Sequence, residues 1–122
     1  MKLKNAVMTV VKLYDLTFLN KISGGDKTFI NEMISTFRQV APEYIAKAKG
    51  YLASGSNESL SKETHRMIPG VSFLGAKFLE EDLLKIEDYT KNNKNLDEIP
   101  ALLNSVHFKI EKLLEEFDND FN

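Results

Sequence analysis

Ile99-Pro100-Ala101-Leu102-Leu103-Asn104-Ser105-Val106-His107-Phe108-Lys109-Ile110-Glu111-Lys112-Leu113-Leu114-Glu115-Glu116-Phe117 sets Ile99, Leu103, Val106, Ile110, Leu113 and Phe117 at alternating gaps of four and three. A helix turns by about 100° per residue, so this spacing gathers them into one apolar stripe, the seam that a helical bundle buries. Working back from this helix, the same periodicity recurs in three further long segments, and no segment alternates for long enough to argue a sheet. The fold class is therefore all-α.

A short first helix is expected from Asp15 to about Ile22, with Leu16 and Leu19 covering one end of the core. Ser23-Gly24-Gly25 ends it, and Asp26 can cap the next helix by accepting a backbone N–H bond. That second helix carries Ile30, Met33, Phe37, Val40, Tyr44, Ala48 and Tyr51 on one face, and Pro42 within it should bend it. After the turn Ser54-Gly55-Ser56-Asn57, a third helix runs to Leu74 with Leu60, Thr64, Met67, Val71 and Leu74 inward. Gly75 breaks the pattern, a fourth helix runs to about Thr90 with Leu79, Leu83 and Ile86 inward, and a polar connector from Lys91 to Asn95 leads to the last. Short connectors make sequential helices antiparallel neighbours, so the expected architecture is an antiparallel up-down four-helix bundle with a short additional N-terminal helix.

A chain of 122 residues suits one domain and is too short for a kinase with its own nucleotide-binding domain. Its formal net charge of -2, with both signs scattered along the helices, leaves no footprint for nucleic acid or a membrane surface, so a protein partner is the better expectation. Cysteine is absent, which excludes disulfides, thiol catalysis and the usual structural zinc sites. The apolar run from Ala6 to Val11 is interrupted at Lys12, is far short of the roughly 20 residues of a spanning helix, and is followed by no small-residue cleavage site. Residues 1–14 read as an extension packed on the bundle of a cytoplasmic protein.

The chemistry centres on His65, about 100° around the third helix from the buried position Thr64 and so on its polar flank. One turn away stand Ser61, Lys62, Ile68, Pro69 and Ser72, mostly short or compact side chains that let another protein approach the imidazole. An isolated histidine at such a position is ordinarily a surface residue, but an exposed imidazole nitrogen is also a good phosphoryl acceptor at neutral pH.

The order of motifs favours the second reading. His65, Met67 and Leu74-Gly75-Ala76, together with Ser23-Gly24-Gly25-Asp26 and Phe29, resemble the histidine-containing phosphotransfer domains, whose pattern is His-x-Leu-Lys-Gly-Ser/Ala followed by Leu-Gly-Ala. The resemblance runs over residues 15–122 and departs from the pattern at Ile68, where Lys is usual, and at Pro69, where Gly is usual. It implies a phosphocarrier rather than an enzyme: a phosphorelay intermediate of two-component signal transduction, acting as a monomer. His65 would accept a phosphoryl group from a receiver-domain aspartate and pass it to another receiver. The partners would be receiver domains of hybrid sensor kinases or response regulators; the chain would hold no cofactor of its own, and the receiver would supply Mg²⁺.

Ser61, Lys62, Arg66, Ile68, Pro69 and Ser72 are the expected docking residues. A lysine at position 68 would lean back over His65, whereas Ile68 can only pack against a partner. Lys62 leans away from His65, and Arg66 is about 100° off, so each is an imperfect substitute. The alternative is a helical adaptor that binds receivers without efficient transfer.

Other signals are weaker. Gly70-x-x-x-x-Gly75 has the glycine spacing of a phosphate-binding loop, but Ala76 occupies the place of its lysine. His107, beside the core position Val106, reads as a structural histidine, while Glu80-Glu81-Asp82 and Glu115-Glu116 read as solvated acidic faces.

Overall fold

Asp26 starts the longest helix, its carboxylate accepting the backbone N–H groups of Thr28 and Phe29 at 3.0 and 3.4 Å. The computed structural model describes residues 12–121. Among them are five α-helices and no strand: α1 (Thr17–Ser23), α2 (Lys27–Ser54), α3 (Asn57–Phe73), α4 (Lys77–Lys91) and α5 (Ile99–Phe121), the last preceded by a 3₁₀ turn, Leu96–Glu98. α1 begins two residues later than its apolar pattern suggests, because Asp15 accepts from the Thr17 N–H and hydroxyl and so stands before the helix.

The long helices form the antiparallel up-down bundle. α2 packs on α3, α3 on α4 and α4 on α5, and α5 closes the ring against α2, while α1 lies against α2. The seam of α5 is fully inside, as are Leu60, Thr64, Met67, Val71 and Leu74 from α3 and its C-cap, and Leu79, Leu83 and Ile86 from α4. No helix among the described residues is long and apolar enough to cross a membrane.

α2 differs from its expected face. Ile34, Ala41 and Ile45 join Ile30, Phe37, Tyr44 and Ala48 in the core, Met33 and Tyr51 are half-buried, and Val40 is exposed. The cause is that α2 touches both α3 and α5, so its buried surface is rotated toward α5. Met33 and Val40 instead line an open apolar cleft of about 360 Å³ between α2 and α3. Pro42 sits on the exposed side, and α2 continues through it.

The acidic run on α4 is also not uniformly solvated. Asp82 is buried, accepting from Ser105 Oγ at 2.6 Å and Lys109 Nζ at 2.8 Å, which ties α4 to α5. Burial of this carboxylate is tolerated because both partners satisfy it. Glu116 is half-buried and accepts the Leu13 N–H at 2.8 Å.

Leu74-Gly75-Ala76 turns the chain from α3 into α4, and it is also where the N-terminal segment docks. The Asp15 N–H donates to the Leu74 carbonyl at 3.0 Å. Gly75 has φ +65°, and a Cβ there would stand 2.2 Å from the Asp15 carbonyl oxygen, so only glycine admits both the turn and this backbone contact. Upstream, Lys12 and Tyr14 both reach Asp120 of α5, at 2.8 and 2.6 Å, and Tyr14 packs on Phe117. Residues 12–14 of the expected extension thus lie on the bundle; residues 1–11 fall outside the described part of the chain.

Candidate functional site

The α3–α4 turn folds two helices antiparallel and brings their outward flanks side by side. On α3, Thr64 is completely buried and its hydroxyl is bonded to Tyr44 Oη at 2.8 Å. Burial pushes the Tyr44 phenol up to about 12, so it stays neutral at physiological pH and pins this turn of α3 to α2. The next residue, His65, is thereby held outward, its side chain 73% exposed.

α4 supplies what α3 lacks. Glu87 follows the buried Ile86 and, at 21% side-chain exposure, places Oε2 2.5 Å from Nδ1 of His65. A carboxylate only accepts, so Nδ1 carries the hydrogen, and in the neutral ring Nε2 keeps its lone pair. The partly desolvated Glu87 carboxylate thus orients a largely exposed imidazole and favours the tautomer in which Nε2 is unprotonated.

His65 and Glu87 line an open groove of about 570 Å³ along the α3–α4 seam, together with Glu58, Ser61, Lys62, Arg66, Thr90 and Lys91. Arg66 is drawn sideways into an ion pair with Glu63 at 2.9 Å. Among the described residues, Lys62 and Lys91 enter no ion pair. Thr90 is buried, its hydroxyl donating to the Ile86 carbonyl at 2.7 Å, so it contributes a short wall rather than a reactive group.

Of the expected docking residues, Ser61, Lys62 and Arg66 share this groove with His65. Ile68, Pro69 and Ser72 do not line it. Pro69 and Ser72 are exposed farther along α3, which is continuous through the proline, and Ile68 is half-buried against the core. Close by, Phe18 of α1 and Phe73 of α3 stack at 5.6 Å, both substantially exposed.

Glu87 and Lys91 do not emerge from periodicity on α3, since both belong to α4. The available signal is the turn itself: His65 lies about as far before Gly75 as Glu87 lies after it, so a hairpin of helices folded at Gly75 sets them opposite each other. His107 is half-buried at the surface, in contact with Lys49 Nζ at 3.0 Å and Glu111 at 3.5 Å. Among the described residues no three His, Asp or Glu side chains converge as a set of metal ligands.

The chain matches no protein-family profile, no curated protein and no solved structure.

Proposed function

We propose that this chain is a phosphorelay intermediate, accepting a phosphoryl group from a receiver-domain aspartate on His65 and passing it to another receiver. One observation carries the reading: an exposed imidazole whose Nδ1 is held by Glu87, which leaves Nε2 as the free nucleophile. The resemblance of residues 15–122 to histidine-containing phosphotransfer domains supports it independently of that geometry.

In the transfer, the Nε2 lone pair forms the N–P bond as the acyl P–O bond of the receiver breaks, and the electron pair of that bond returns to the aspartate carboxylate. Nδ1 keeps its hydrogen, so the ring becomes cationic, and the Glu87 carboxylate stabilises that charge. The return step reverses these changes. The divalent ion that neutralises phosphoryl charge in such reactions suits the receiver better than this groove, where the carboxylates of Glu58 and Glu87 stand among three basic side chains, Lys62, Arg66 and Lys91, and no three carboxylate or imidazole groups converge among the described residues.

Incubating the chain with a phosphorylated receiver and Mg²⁺ tests the reading. Label should appear on this chain, be lost in acid and persist in base, as for a phosphoramidate. His65→Gln should abolish it with little change in helical content or thermal stability, because an exposed side chain contributes little to packing. Label that persists in this variant sinks the assignment.

A second reading, the receiver-binding adaptor, rests on Ile68, whose half-buried side chain occupies the position where the family pattern has lysine. The same incubation separates the two: an adaptor forms the complex and leaves His65 unlabelled.

A further inference from the structure

With isoleucine at position 68, a phosphoryl group on His65 lacks a cation from the following turn of its own helix. The groove offers three basic side chains, Lys62, Arg66 and Lys91, and their directions differ. Arg66 is engaged by Glu63. Lys62, on α3, precedes His65, and helical side chains lean toward the N-terminus of their helix, so it leans away from the imidazole.

Lys91 has the opposite geometry because α4 runs antiparallel to α3. It stands four residues after Glu87, on the same face of α4. Leaning toward the N-terminus of α4 carries its ammonium back toward Glu87, and hence toward the His65 ring that Glu87 holds. Four residues of helix are about 6 Å, within reach of a lysine's four-carbon stem. Ser61 and Thr90, the short side chains in this part of the groove, leave the path open.

We infer that Lys91 binds the phosphoryl oxygens of phospho-His65 from across the helix seam, taking the place of the missing cation at position 68. The inference rests on the phosphocarrier reading. It assigns the site to two helices: α3 provides the nucleophile, and α4 provides both the group that orients it and the cation that receives the charge.

The test is the equilibrium between phosphorylated receiver and this chain, measured with wild type, Lys91→Gln, Lys62→Gln and the double variant Lys91→Gln with Ile68→Lys. Lys91→Gln should lower the ratio of phosphorylated to free His65 roughly threefold to fivefold, the scale of one partly exposed ion pair. Lys62→Gln should change it less, and Ile68→Lys should restore it in the double variant. The ³¹P resonance of phospho-His65 should shift in Lys91→Gln and return toward wild type in Lys91→Arg. Wild-type labelling with unchanged occupancy and ³¹P shift in Lys91→Gln overturns the inference and leaves the carrier reading standing. Absence of label on wild type overturns both.

Discussion

His65 owes its chemistry to one neighbour. A carboxylate 2.5 Å from Nδ1 selects the tautomer in the ground state and, on the proposed phosphocarrier function, would gain strength as phosphorylation makes the ring cationic. Glu87→Gln keeps an acceptor for the Nδ1 hydrogen but removes the charge. Since a hydrogen bond to a charged group is worth about 1 kcal/mol more than a neutral one, single-turnover transfer from a phosphorylated receiver should slow by roughly fivefold. Rapid-quench measurement of that step, with circular dichroism to establish an unchanged helix content, checks it. A variant as fast as wild type would show that Glu87 does not act on the ring. His65, Ser61, Lys62 and Arg66 were legible from helical periodicity, because each is placed by its own helix; Glu87 and Lys91 were not, because their relation to His65 depends on the register of a second helix.

Among the elements, the α3–α4 corner has the least tolerance. Gly75→Ala must accept a left-handed backbone and displace the Asp15 main chain, whereas Gly55→Ala, at φ +70°, meets no atom within 4 Å. The first should destabilise the fold by about 3 kcal/mol, combining backbone strain with overpacking, and the second by only about 1 kcal/mol. Urea denaturation of the two variants tests the difference, and equal losses would mean that the Asp15 contact carries no weight.

The N-terminal segment is held at its other end by Asp120, whose carboxyl lies below the ordinary range because it accepts hydrogen bonds from Lys12 and then Tyr14. Its folded-state value is depressed, so its stabilising contribution is present above the unfolded value near 3.9 and is lost as pH falls through the folded one. Tyr14 ring resonances should therefore hold constant through neutral pH and shift only in strong acid, and Asp120→Asn should abolish that acid transition. An acid shift that persists in Asp120→Asn would assign the transition to another group.

Across the whole molecule, the contact between α4 and α5 contains a charge pair that is unequal in exposure. Asp82 has 12% of its side chain exposed and Lys109 27%, with Lys109 also donating to the Phe78 carbonyl at 3.1 Å. Lys109→Ala leaves a buried carboxylate with Ser105 alone and should cost about 2 to 3 kcal/mol. Asp82→Ala leaves a flexible lysine that retains a carbonyl partner and can extend into water, and should cost only about 1 kcal/mol. Chemical denaturation of both variants measures the asymmetry, and a larger loss for Asp82→Ala would reverse the argument.

Local chemistry decides much of this protein independently of its packing. The order of the helices, the cap at Asp26, the turns at Gly24-Gly25 and Gly75, and the buried stripes of α3, α4 and α5 all follow from residue spacing, since 3.6 residues per turn fixes where each side chain points around its own axis. Tertiary structure decided the rest: Val40 outside with Ile34, Ala41 and Ile45 inside, Asp82 against Lys109, Asp15 over Gly75, and Glu87 on His65. The physical reason is that periodicity sets a residue's angle on one helix but not the axial register or rotation of the helix beside it, and those arise only when ridges and grooves of the whole bundle interlock.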